Sequence, residues 1–186
     1  MKILKYVFAL LIFFSAFLLA QDNVVKNNPG YFDFGDLSSF DNGEEGAEVN
    51  IEEHLIKMVA KMTAEEDKQL SGLLNGLKLI KVNTFQVDDK NRSAIKKKIT
   101  SVQNSLSGSK WDKIARIREK GEDMSVFLKT DRNNKINGVV VAGIMDKGQA
   151  VFVNIVGDID LEAIGKLGDK FDIPSLGDLH KKKNQE

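Results

Sequence analysis

The sequence predicts an α+β fold: a mostly antiparallel sheet of about five to six strands with two to three helices packed on one face. Three observations lead there. Helical spacing is confined to a few separate windows, β-branched and alternating stretches dominate the second half, and the pieces run strand, helix, strand, helix, four strands, helix. With 186 residues, 42% hydrophobic and 29% charged, the chain has the mass for one compact core. No fixed-period repeat interrupts this reading.

Ala47 to Ile51 is the first short strand, after which Leu55, Ile56, Val59 and Met62 recur at helical spacing. Thr63 with Glu66 three residues on has the form of a capping box, so a second helical piece is expected to start at Thr63 and to carry Leu70, Leu73 and Leu74 until Asn75-Gly76 breaks it. Leu77 to Val87, rich in β-branched and aromatic residues, reads as a strand. In the next helix Ile95, Ile99, Val102 and Leu106 are spaced 4, 3 and 4, behind an acidic start at Asp88-Asp89 and ahead of Ser107-Gly108. Trp111 to Glu119 leads through Lys120-Gly121 into Met124, Val126 and Leu128, which alternate with Ser125, Phe127 and Lys129 as in a half-buried strand. Past the polar turn Asp131 to Lys135, Ile136 to Met145 is almost continuously apolar, the mark of a central strand covered on both sides. Ala150 to Val156 follows, with Val151, Val153 and Ile155 on one face and Asn154 on the other. A last helix is predicted from Asp160 as cap, burying Leu161, Ile164, Leu167 and Phe171 and stopped by Pro174.

Around this domain, residues 47–174, lie three other segments. Lys2 and Lys5 precede the apolar run Tyr6 to Ala20, and polar Gln21-Asp22-Asn23 follows, the charge, length and exit pattern of a secretory signal peptide over 1–20 cleaved after Ala20. About fifteen apolar residues are short of the roughly 20 that a spanning helix needs. The expected location is therefore periplasmic or secreted, with membrane attachment only if the segment stays uncleaved. Residues 21–46 carry Asp22, Asp33, Asp36, Asp41, Glu44 and Glu45 against Lys26 alone, a net −5 that belongs to loop. Within them Tyr31, Phe32 and Phe34 are too costly to leave in water and are expected to dock on the domain as a strap; a partner-binding aromatic motif is the other reading of the same residues. Residues 175–186, with Lys181, Lys182 and Lys183, form a flexible basic tail.

The 27 basic and 27 acidic residues sum to zero, which weighs against general nucleic-acid affinity. The absence of Cys excludes disulfides, thiol nucleophiles and cysteine-ligated metals, and leaves only His54 and His180 for imidazole chemistry. No cofactor is implied. The zero conceals a polarity, because residues 90–120 hold ten basic side chains against Asp112 and Glu119, a net +8. Lys96 and Lys97 must point away from the apolar stripe of their helix, and Arg116 and Arg118 share one face of the next strand. These four make a candidate partner-binding basic face for an acidic protein or polymer, beside the plainer reading of a solvated surface. Ser93/Lys96 and Ser107/Lys110 have the S-x-x-K spacing of some acyl-transferring enzymes but lack the companion elements. Asp131-Arg132-Asn133 lacks the later calcium ligands, with Ala142 where a bidentate Glu belongs; Asp158, Asp160 and Glu162 are accounted for by helix capping and the helix dipole, with calcium binding as the other reading.

Several of these stretches together resemble a known family. The run Pro29-Gly30-Tyr31-Phe32-Asp33-Phe34-Gly35-Asp36-Leu37, the Val49-Asn50-Ile51 strand, Leu77-Lys78-Leu79-Ile80-Lys81-Val82 and Val153 to Leu161 look like the bacterial family catalogued as domain of unknown function 4252, over roughly residues 29 to 172. The resemblance implies an exported envelope protein without an established activity, with some relatives encoded near extracytoplasmic sigma factors, and so a link to envelope signalling. Many members are lipoproteins; this chain lacks the lipid-bearing Cys. The function expected is a non-catalytic binding module of the envelope. The alternatives are a small hydrolase or a lipid or small-molecule binding domain with a pocket between sheet and helices, and an oligomerising domain that contributes a sheet edge.

Overall fold

In the computed structural model, residues 25–159 are described, apart from 44, 120, 146 and 147. The signal segment, the basic tail and the helix expected from Asp160 lie outside them. The elements are β1 (Gly46–Glu52), α1 (Glu53–Thr63), α2 (Lys68–Gly76), β2 (Leu77–Gln86), α3 (Arg92–Gly108), β3 (Asp112–Glu119), β4 (Glu122–Thr130), β5 (Ile136–Met145) and β6 (Gln149–Ile159). Among the described residues six strands form one antiparallel sheet in the order β1-β2-β6-β5-β4-β3, and with the three helices this is an α+β domain.

The helices do not share a face of the sheet, contrary to the sequence expectation. Phe152, Val140, Ala142 and Phe127 meet Ile95, Ile99, Val102 and Leu106 of α3 in one core, completed by Phe34, Leu37 and Phe40 from the strap. Residues of opposite strand parity, Val126, Val139, Val141 and Ile155, belong to a second core with Ile56 of α1 and Leu74 of α2. The sheet is therefore a middle layer. This also corrects β4, where Ser125 and Phe127 are as buried as Val126: the alternation of polar and apolar residues marked two covered faces, one carrying a satisfied hydroxyl.

The break between α1 and α2 also differs from expectation. Thr63 ends α1, its hydroxyl donating back to the Val59 and Ala60 carbonyls at 3.2 Å, and Asp67 caps α2 by accepting from Leu70 N at 2.9 Å. A helical Thr finds a carbonyl one turn behind, whereas the Asp carboxylate answers the unpaired N–H groups of the new turn.

Candidate functional site

The periodicity of α3 fixes where its lysines go. Ile95 and Leu106 are fully buried, so Lys96 and Lys97 stand on the outer side, where with Ser93 and Thr100 they line an open depression of about 350 Å³. Both helix ends are tied down. At the start, Asp88 Oδ1 accepts from the Lys90 and Asn91 N–H groups at 2.8 Å, while Asn91 Oδ1 accepts from Asp88 N at 3.0 Å. Hydrogen bonds from the Asn91 N–H foremost, then from the Asn42 side chain and the Lys90 N–H, hold the Asp88 carboxyl below its ordinary range. Past the end, Lys129 Nζ donates to the Ser109 and Lys110 carbonyls at 2.6 and 3.0 Å, while burial pushes its pKa down.

The cations of the basic face predicted from sequence differ in their pairing. Arg116 donates from both Nε and an Nη to the two oxygens of Asp123, each at 3.0 Å, and Arg118 approaches the same carboxylate at 3.7 Å. The hydrogen bond from Arg116 is the main reason the Asp123 carboxyl lies below its ordinary range. One carboxylate thus answers two guanidinium groups. Lys96 and Lys97 have no ion-pair partner among the described residues. Lys98, their neighbour, is drawn the other way, donating to the Asp36 carbonyl of the strap at 3.4 Å.

The aromatic segment docks as a strap. Phe34 is buried and meets Phe152 edge-on at 5.6 Å, and Phe32 packs edge-on against Phe34 and Trp111 at 5.4 and 6.4 Å. Tyr31 and Phe32 are half-buried. Sequence reasoning missed the residue that pins this segment. Asn154, fully buried in β6, accepts from Phe32 N at 2.9 Å and donates to the Gly30 and Val139 carbonyls at 3.0 and 3.2 Å. A lone Asn among Val153, Ile155 and Val156 was the available signal, since a buried amide must find partners. Gly30 crosses β5 so closely that a Cβ there would sit 1.8 Å from the Asn137 carbonyl oxygen.

Between the strap and the β1–β2 end of the sheet lies a cleft of about 420 Å³, with Asp36, Asp41, Glu48, Lys81 and Asn83 among its walls. Asn83 is only 5% exposed and its Oδ1 has no hydrogen-bond partner. The weaker motifs resolve into local structure. Asp131 Oδ1 closes its turn by accepting from Asn133 and Lys135 N–H groups, Ser107 donates to the Gln103 carbonyl, and His54 is exposed beside Glu52. Among the described residues no three of His, Asp and Glu are grouped to hold a metal ion.

A six-stranded antiparallel sheet covered by helices on both faces, with an N-terminal strap sealed into one core, defines the class of domain. The family model described as "Domain of unknown function (DUF4252)" matches residues 40–167, and the chain belongs to this family. No curated protein and no solved structure matches it.

Proposed function

We propose that this protein is an exported, non-catalytic module that binds an acidic protein or polymer of the bacterial envelope through the outer face of α3. One observation carries the reading: Lys96 and Lys97 present two cations without an ion-pair partner among the described residues, on a helix whose inner stripe is buried and whose ends are both tethered. Such a helix loses little freedom on binding, which favours complex formation. The arginines play a smaller part, because Asp123 already occupies them. Export is supported by the charged and apolar pattern of residues 1–20.

The test compares capture of identified partners from envelope extract by the wild type, Lys96→Glu/Lys97→Glu and Arg116→Gln/Arg118→Gln, at about 50 and 300 mM salt. Capture lost in the lysine pair and at high salt supports the reading. Equal capture by all three proteins sinks it.

A further inference from the structure

We infer that two copies of this chain join by antiparallel pairing of their β1 strands about a two-fold axis at Val49. The two edges of the sheet are built differently. At β3 the strand is bulged between Lys113 and Ala115 and carries Lys113, Arg116 and Arg118, the usual defences against strand addition. The β1 edge, Gly46-Ala47-Glu48-Val49-Asn50-Ile51-Glu52, has no Lys, Arg or Pro and pairs with β2 without a break in register.

The register of β2 shows which backbone groups of β1 are on offer. Gln86 N donates to Glu45 O, so positions 45, 47, 49 and 51 are the hydrogen-bonded partners of β2. Gly46, Glu48 and Asn50 then turn their N–H and C=O groups to the open edge. A second copy must match outward residues to outward residues, which restricts the two-fold to a few positions. Centred on Glu48 it opposes two carboxylates, and centred on Asn50 it sets Glu48 against Glu52. Centred on Ala47 or Ile51 it pairs only three residues of each strand, whereas centred on Val49 it pairs Glu48 with Asn50 twice by backbone hydrogen bonds, places Ala47 against Ile51, and opposes no like charges within β1.

The apolar surface agrees. Val49 is 37% exposed, and α1, which leaves β1 directly, exposes Leu55, Met58, Val59 and Met62 along one flank, to as much as 75% at Met62. This flank is not the one α1 turns to α2, where Ser71 donates to the Ala60 carbonyl. The axis runs perpendicular to the sheet, so it sets both α1 helices on the same side of one twelve-stranded sheet, six strands from each copy. A helix flank of this kind calls for a neighbour.

Cysteine cross-linking of the purified chain reads the register directly, since the protein has no Cys of its own. Val49→Cys is expected to form a disulfide-linked dimer under mild oxidation, because the residue meets itself across a non-hydrogen-bonded pair. Glu48→Cys and Asn50→Cys singly are not, while the Glu48→Cys/Asn50→Cys double variant is. In sedimentation equilibrium Asn50→Glu should weaken the dimer roughly tenfold by opposing Glu48, and Asn50→Lys should tighten it. A wild type that stays monomeric at about 100 μM overturns the inference, whether because another segment of the chain covers β1 or because nothing pairs with it; that concentration tests for a Kd well below it. So does a dimer in which the three single cysteines cross-link alike, or in which both Asn50 variants act in the same direction.

Discussion

Replacing Asn154 by Leu keeps side-chain bulk in β6 but withdraws one acceptor and two donors. Phe32 N, Gly30 O and Val139 O lose the partner they have at 2.9, 3.0 and 3.2 Å, around an amide that is itself fully buried. Net hydrogen-bond contributions of about 1 kcal/mol each set a floor near 3 kcal/mol, and the unsatisfied groups raise the cost toward 6 kcal/mol. Against this stands the burial of Phe34, Leu37 and Phe40, at roughly 2 kcal/mol apiece, which holds the strap down even without its pin. The two amounts are comparable, so the variant should keep its strap docked but weakly. Trp111, the sole tryptophan, lies 6.4 Å from Phe32 and reports strap position by its emission. Urea unfolding followed at Trp111 should show a stability loss of about 3 kcal/mol or more, a midpoint shift of about 1.5 M for a slope near 2 kcal/mol/M. A loss under about 0.5 kcal/mol with unchanged emission would refute the assignment of Asn154 as the pin.

Three further outcomes are expected. Gly30→Ala and Gly138→Ala, whose new Cβ atoms would lie 1.8 and 2.4 Å from backbone oxygens, should each cost upward of about 2 kcal/mol in the same urea assay and shift Trp111 emission, while Gly72→Ala, with open space around it in α2, should be neutral or stabilising by up to about 1 kcal/mol. Asp123→Asn should change stability by less than about 1 kcal/mol, since the ion pair is solvent-exposed, yet increase retention on a polyanionic column by freeing Arg116 and Arg118. Asp36, Asp88 and Asp123 all have folded pKa values lowered by hydrogen bonds, those of Ser38, Asn91 and Arg116 in turn, so the unfolded chain binds their protons first on acidification; the melting temperature should hold from pH 7 to about 5 and fall below about pH 4, and a protein equally stable at pH 3 would contradict those contacts.

Local pattern made most elements legible. The 4, 3, 4 spacing of Ile95, Ile99, Val102 and Leu106 needs only the geometry of a single helix, and all four are buried as that spacing demands. The aromatic strap was legible for a similar reason, because three aromatic side chains in four positions must leave water somewhere. The candidate basic face was half legible. Lys96 and Lys97 follow from helix phase alone, but the pairing of Arg116 and Arg118 with one carboxylate depends on Asp123 arriving from the adjacent strand.

What the sequence determined by itself was the kind and order of the elements: their periods are properties of neighbouring residues, and backbone geometry converts period into helix or strand. What only tertiary structure decided was pairing across distance. Which face each helix covers, which amide pins the strap from 122 residues away, and which sheet edge stays undefended depend on strand order. The same period-two pattern serves a strand covered on one side or on both, so Phe127 and Ser125 could be placed only once α3 lay over them.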